Sequence, residues 1–237
     1  MHRAGGVAVT ERFAAIADVH GNRWALEAVL EDIERRGIRE VVNLGDLLFG
    51  PLDPEGTSEL LRARGFPTVS GNQDRELVEA GTFPWLGELP LTLAMPGMVL
   101  FHGTPRRDDV YLLETVHASG IVALASDAEI AERLGEVEPA LLLCGHTHIP
   151  RVVSSGGRLI VNPGSVGLQA YTDTAPVRHR METGSPEARY AVLERRDGGW
   201  GVDLIQIGYD VESAADAALR NGRPDWAYRI RTGRAEA

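Results

Sequence analysis

The sequence contains no lysine; all 24 of its basic residues are arginine. That absence excludes Schiff-base chemistry, a Walker-type phosphate loop and a kinase-type lysine. Any cationic clamp on a substrate must be arginine or metal. There is one cysteine, Cys144. It cannot form an internal disulfide, which fits a reducing compartment and a cytoplasmic protein. Cys144 ends the apolar run Leu141-Leu142-Leu143 and reads as a small buried hydrophobe rather than a nucleophile. No apolar stretch approaches the roughly 20 residues of a membrane span. Residues 1–11 lack the basic-then-apolar pattern of a signal peptide and read as a flexible lead-in. A net charge of −10 argues against a nucleic-acid-coating protein.

What is present is enough for a real core: 43% of the 237 residues are hydrophobic. The first two thirds alternate short apolar runs with helical patterns. Residues 12–17 read as a strand. Residues 22–35 read as a helix, because Leu26, Val29, Leu30 and Ile33 recur at helical spacing. A strand at 40–44, a helix at 54–64 and strands at 67–70 and 97–101 follow. Ser126 with Glu129 three residues on forms a capping-box pattern that opens a helix, and 140–144 reads as the next strand. This alternation argues for an α/β layered domain with parallel strand pairs. The last third changes character. Two hairpins are expected, 151–154 with 158–161 and 189–195 with 200–207, then a helix capped by Asp210 that ends near Gly222. Nothing marks a linker, so 12–237 reads as a single domain. The segments 103–120 and 167–186, rich in Gly, Pro, Arg and Asp, read as irregular.

Coordinating residue types gather at the ends of the apolar runs. Asp18-Val19-His20 follows Ala14 to Ala17, Gly45-Asp46 follows Val41 to Leu44, and Gly71-Asn72 follows Thr68 to Ser70. His102 follows Met98 to Phe101, and Gly145-His146-Thr147-His148 follows Leu141 to Cys144. In an α/β sheet, ligand sites lie outside the carboxyl ends of the strands, so five strands would deliver these groups to one edge. A lone Gly-Asp is a turn far more often than a site. Yet four of the seven histidines occupy this context, and Asp and Asn repeat it. Two metal ions held side by side without sulfur would hydrolyse phosphate esters. His2 reads as tail, and His117 and His179 as loop surface.

The order Asp-x-His, Gly-Asp, Gly-Asn-x-Asp, His, Gly-His-x-His over Asp18 to His148 resembles the calcineurin-like metallophosphoesterase family. Asn162-Pro163-Gly164-Ser165-Val166-Gly167, and Tyr209-Asp210 leading into a last helix, resemble its small single-domain bacterial and archaeal phosphodiesterase branch. The resemblance implies a four-layer αββα sandwich, two facing mixed β-sheets flanked by helices. It implies one metal on Asp18, His20 and His148, another on Asn72, His102 and His146, and Asp46 bridging them. The ligand set suits Mn²⁺ first, with Fe or Zn²⁺ as alternatives. It implies attack by a metal-activated hydroxide on a phosphate ester, most simply a diester, with Asp46 and Asn72 in the catalytic centre. Dinucleoside polyphosphate hydrolysis, phosphomonoester hydrolysis and a non-catalytic scaffold are the alternatives. The complete ligand set favours the enzyme.

Many members carry His after Gly-Asn; here the residue is Gln73, which cannot act as a general acid. Gln73 is expected to orient a phosphoryl oxygen and Asp74 to hold the loop. Asn22 and Arg23, at a helix start, and Arg106, Arg107 and Tyr111, after His102, are candidate substrate contacts. The loop 162–165 reads equally as a support beneath the metals and as a structural turn.

Overall fold

Side-chain parity along the strands dictates the layering of this chain. The computed structural model describes residues 12–236; the lead-in expected at 1–11 and His2 lie outside that range. The strands are β1 (Arg12–Ile16), β2 (Glu40–Asn43), β3 (Thr92–Met95), β4 (Met98–Phe101), β5 (Glu114–Val116), β6 (Val122–Leu124) and β7 (Leu141–Leu143). They continue with β8 (Arg151–Ser155), β9 (Arg158–Asn162), β10 (Ala170–Asp173), β11 (His179–Glu182), β12 (Ala188–Arg196) and β13 (Gly199–Ile207). The helices are α1 (Arg23–Arg35), α2 (Pro54–Arg64), α3 (Asn72–Glu79), α4 (Asp127–Leu134), α5 (Val211–Arg220) and α6 (Pro224–Thr232).

One sheet has the order β13-β12-β1-β2 and the other β3-β4-β7-β9-β8. The pairs β1–β2, β4–β7 and β7–β9 are parallel; antiparallel hairpins form every edge except that at β2. Successive side chains of a strand point to opposite faces. Phe13, Ala15, Val42, Ala191 and Leu193 of the first sheet therefore meet Met98, Leu100, Leu141, Leu143 and Val161 of the second in a shared core. The intervening residues Ala14, Ile16, Val41, Tyr190 and Val192 turn outward onto α1 and α2. Val99, Phe101, Leu142, Cys144 and Ile160 turn outward onto α4. Helix, sheet, sheet and helix are thus stacked in four layers. Cys144 is buried in the outer core, and burial pushes its thiol well above the ordinary range.

Several local signals act as their chemistry requires. Asp53 and Pro54 open α2, the Ser126–Glu129 box opens α4, and Asp210 accepts from the Ser213 amide to open α5. The expected strand at 67–70 is reduced to one parallel bridge between Asn43 and Thr68. Pro67 brings no N–H to the ladder, and the chain turns at Gly71 into α3. The segment expected to be irregular at 167–186 contains the hairpin β10–β11, and 103–120 contains β5. In β11 the alternation of buried His179 and Met181 with exposed Arg180 and Glu182 is a half-buried strand pattern. His179 is consequently buried rather than a surface loop residue, whereas His117 is exposed.

Leu143→Ala removes a fully buried side chain from between the sheets. It is expected to cost about 2–5 kcal/mol in urea unfolding. Leu204→Ala, on a side chain 42% exposed, is expected to cost less than about 0.5 kcal/mol. Equal costs for the two would contradict the inter-sheet core.

Candidate metal centre

The ends of the parallel strands bring the coordinating residues together because the strand pairing continues into the loops. Beyond β1 and β2, the Asp18 amide donates to the Gly45 carbonyl at 2.9 Å and the His20 amide to the Asp46 carbonyl at 3.0 Å. On the second sheet the Gly145 amide donates to the His102 carbonyl at 2.8 Å. The Gly45 and Gly71 loops touch. A Cβ on Gly45, whose φ is +93°, would lie 2.6 Å from the Gly71 nitrogen, and one on Gly71 would overlap the Asp46 carboxylate. Only glycine fits at these two places.

Two groups of ligand atoms result, each within 4.8 Å: Asp18, His20 and His148, and Asp46, His102 and His146. All but the half-buried His146 are buried. The carboxylates reach both groups. Asp46 Oδ2 lies 3.3 Å from His102 Nε2 and 3.9 Å from His20 Nε2. Asp18 Oδ1 lies 3.3 Å from His148 Nε2 and 3.9 Å from His102 Nε2. Asn72, the first residue of α3, faces the same cavity, and its Oδ1 is buried without a partner.

Backbone carbonyls set the imidazole tautomers. Nδ1 of His20 lies 3.0 Å from the Phe49 carbonyl, that of His102 2.7 Å from Leu44, and that of His148 2.6 Å from Leu168. A carbonyl only accepts, so Nδ1 carries the proton and Nε2 presents a lone pair to the centre. The Nε2 atoms of His20 and His148 then face each other at 3.1 Å. Two lone pairs at that distance require a proton or a metal ion between them. The unpartnered Asp18 Oδ2, Asn72 Oδ1 and His102 Nε2 point to the same need. These residues fit a pair of divalent cations.

The electrostatics agree. Burial, then the neighbouring imidazole, lowers His20 and His146 to about 4, so both are neutral and available as ligands at pH 7. Burial also acts to lower His102, but the Asp46 and Asp18 carboxylates outweigh it and raise the residue to about 10. Burial would raise Asp46; His102, His20 and His146 override it and hold the carboxyl far below the usual range. The buried carboxylates of Asp18 and Asp46 give this spot a negative field that favours positive charge.

Strain concentrates here too. Six non-glycine residues among those described have left-handed φ, and five are Asp18, His20, Asp46, His146 and His148, at 51° to 71°. Each such conformation costs on the order of 1–3 kcal/mol and persists only where its surroundings impose it.

Asp74 accepts hydrogen bonds from the amides of Asp46, Leu47 and Gly71 at 2.8–3.0 Å. Burial and the adjacent Asp46 push it up to about 7. Gln73 donates its amide to Asp46 Oδ1 at 2.9 Å, and its side chain lines the cavity with Oε1 unpartnered. Asn162 donates to the Gly145 carbonyl and to Thr147 Oγ1, and Ser165 donates to the Asp18 carbonyl.

The other candidate contacts lie elsewhere. Asn22 is buried at the start of α1 and donates to the Gly167 carbonyl and the Tyr209 hydroxyl. Arg23 is exposed and paired with Glu27 and Asp53. Arg106 borders a separate recess, and Arg107 pairs with Asp109. Tyr111 is near the centre without lining the cavity. Its ring lies 4.9 Å from that of His146, and its hydroxyl meets Tyr171 at 2.9 Å and His179 at 3.0 Å.

The cavity over the centre has a volume of about 390 Å³. Residues outside every motif also line it: Phe49, Tyr171, Arg223 at the cap of α6, and Trp226 and Arg229 of α6. The signal for α6 was Pro224 at the first helical position with Asp225 in the first turn.

Mn²⁺ at a hundred times its dissociation constant is expected to stabilise the metal-free protein by about 2.7 kcal/mol per site. Asp18→Ala and His102→Ala are expected to lose that gain. A wild-type melting temperature indifferent to Mn²⁺, Fe²⁺ and Zn²⁺ would argue against a metal centre.

Comparison with known proteins bears on the same residues. An uncharacterised protein of Methanocaldococcus jannaschii is 23% identical over 248 residues, covering 92% of this chain and 96% of the relative. A crystallised metallophosphoesterase from Sphaerobacter thermophilus superposes with a TM-score of 0.71 at 25% identity, over 92% of this chain and 98% of that one. A hypothetical protein from Pyrococcus horikoshii shares the fold, with a TM-score of 0.67 at 17% identity over 95% and 99% of the two chains. Residues 12–184 match the calcineurin-like phosphoesterase superfamily domain, which contains both ligand groups, and the chain belongs to that superfamily.

Proposed function

We propose that this protein is a phosphodiesterase that works with two divalent cations, Mn²⁺ before Fe or Zn²⁺, on a small phosphorylated substrate. One cation is assigned to Asp18, His20 and His148, the other to Asn72, His102 and His146, with Asp46 shared. The observation that carries this reading is the reach of Asp46 Oδ2 toward imidazoles of both groups, at 3.3 and 3.9 Å, on the floor of one cavity. Bound cations would supply hydroxide at neutral pH and neutralise charge developing on the phosphoryl group. We take 12–237 as one functional unit in the cytoplasm, since the ligands come from both sheets and a single cysteine can form no internal disulfide. No helix among the described residues is long and apolar enough to cross a membrane.

The chain's own residues have separate tasks. The Gln73 amide holds Asp46 Oδ1, so the shared carboxylate cannot swing away. Asp74 gathers three amides of the Asp46 and Gly71 loops and fixes their approach. The Gln73 side chain can donate a hydrogen bond to a phosphoryl oxygen but has no proton to give a leaving group. Substrates with good leaving groups, such as aryl diesters, should therefore react fastest.

A panel of phosphomonoesters, phosphodiesters and dinucleoside polyphosphates assayed with Mn²⁺ tests the assignment. Hydrolysis of aryl diesters is expected to lead, and Asp46→Ala to lower kcat by at least about 10²–10³-fold. Activity that survives Asp46→Ala would sink the shared-carboxylate reading. Gln73→His is expected to help alkyl esters more than aryl esters. Equal rates for wild type and variant on every ester would remove Gln73 from the mechanism.

A further inference from the structure

Two guanidinium groups line the cavity, on Arg223, which caps α6, and on Arg229 within it, both beyond the residues that match the family domain. They are not equivalent. Arg223 is exposed, lies over the Trp226 ring, and makes a two-pronged pair with Asp225 at 2.9 and 2.7 Å. Its charge is already answered. Arg229 has a side chain only 16% exposed. Among the described residues its one hydrogen bond is a long one, from Nε to the Ala235 carbonyl at 3.3 Å, and its nearest carboxylate oxygen, on Asp225, is 3.9 Å away. Glu236 is committed to Arg178, Arg180 and Thr172. Burial acts on Arg229 to lower its pKa, the direction expected of an under-compensated cation. A guanidinium presents five donors in a planar fork that matches phosphate and carboxylate. Among the described residues most of this fork is unused, on the wall of the cavity over the candidate metal centre.

The position of that wall is fixed. Trp226, Ala227 and Ile230 are buried against Ala214, Ala215 and Ala218 of α5 and against Leu52 and Leu168. The Trp226 ring meets the His20 ring edge-on, with centroids 6.1 Å apart. Trp226 and Arg229 lie three residues apart on one helix face, about 4.5 Å along its axis. Phe49, Leu168 and Trp226 give the cavity an apolar part of its lining, and Glu76 and Asp173 give it carboxylates.

We propose that Arg229 is a second anion subsite, and that the substrate is a phosphate ester bearing a further phosphoryl or carboxylate group across a short spacer. This rests on the hydrolytic reading of the metal centre for the placement of the first phosphoryl group. Arg229 is then a specificity residue that selects substrates with two anionic ends.

Calorimetric titration of the Mn²⁺-loaded protein with three probes tests this: glycerol 2-phosphate, 3-phosphoglycerate and 1,3-propanediol bisphosphate. Wild type is expected to bind at least one two-ended probe tenfold or more tighter than glycerol 2-phosphate. Preference for the bisphosphate assigns a phosphoryl group to the subsite, and preference for phosphoglycerate a carboxylate. Arg229→Gln is expected to shrink the advantage below threefold. Arg229→Met, which keeps the apolar stem, should do the same if the Gln variant does not fold. Equal wild-type affinities for all three probes would overturn the proposal. So would an advantage that persists in both variants, or a loss shared equally by every probe. If the probe preference follows Arg229 while no ester of the panel is hydrolysed, the hydrolytic reading falls and the anion subsite stands.

Discussion

The removal of two carboxylates and several imidazoles from water governs the rest of this structure. Buried charges are costly unless paired or coordinated. Asp18 and Asp46 are buried at the centre of the ligand group and face nitrogen lone pairs fixed by carbonyls behind them. The protein has arranged donors outward and acceptors inward, which is stable only around positive charge. The Asp46 and Asp18 carboxylates accordingly favour positive charge beside His102, raising its pKa against the effect of burial. The hydrogen bonds of Asp74, Asn162 and Ser165 keep the acceptors in place against their mutual repulsion.

The fold supplies the rigidity that this arrangement needs. Parity divides each strand between the inter-sheet core and an outer helix layer, so neither sheet is free to slide. The loops leaving β1 and β2 continue to pair with each other, which is why Asp18 and Asp46 are aligned. Five ligands nonetheless adopt left-handed backbone conformations that Asp and His seldom use. Packing energy from the sheets offsets that local cost.

Much of the centre was legible in the sequence because its residues are short-range motifs at strand ends, a position dictated by topology. Asp18 to His148 could be grouped from spacing and residue type alone. The cavity lining beyond the motifs was not legible. Arg229 and Trp226 lie on a nine-residue helix outside every motif, and their meaning comes from the packing of Trp226 against His20, a tertiary fact. Arg23 looked like a clamp because helix starts attract phosphate, but Glu27 and Asp53 already occupy it. The strand expected at 67–70 failed because Pro67 and Gly71 leave room for only one bridge. The hairpin β10–β11 was hidden by the glycine and proline residues around it, although its alternating burial follows the period-two rule.

The ligands span positions 18 to 148 and are divided between two sheets. No fragment containing one sheet alone holds a complete pair of half-sites. Both strand-end arrays must be in register before the imidazoles of His102 and His146 meet the carboxylate of Asp46. Metal loading would then come late in the life of the nascent chain, after the sheets have docked. The ion would act as a seal on correct assembly, and partly folded chains would leave it in solution.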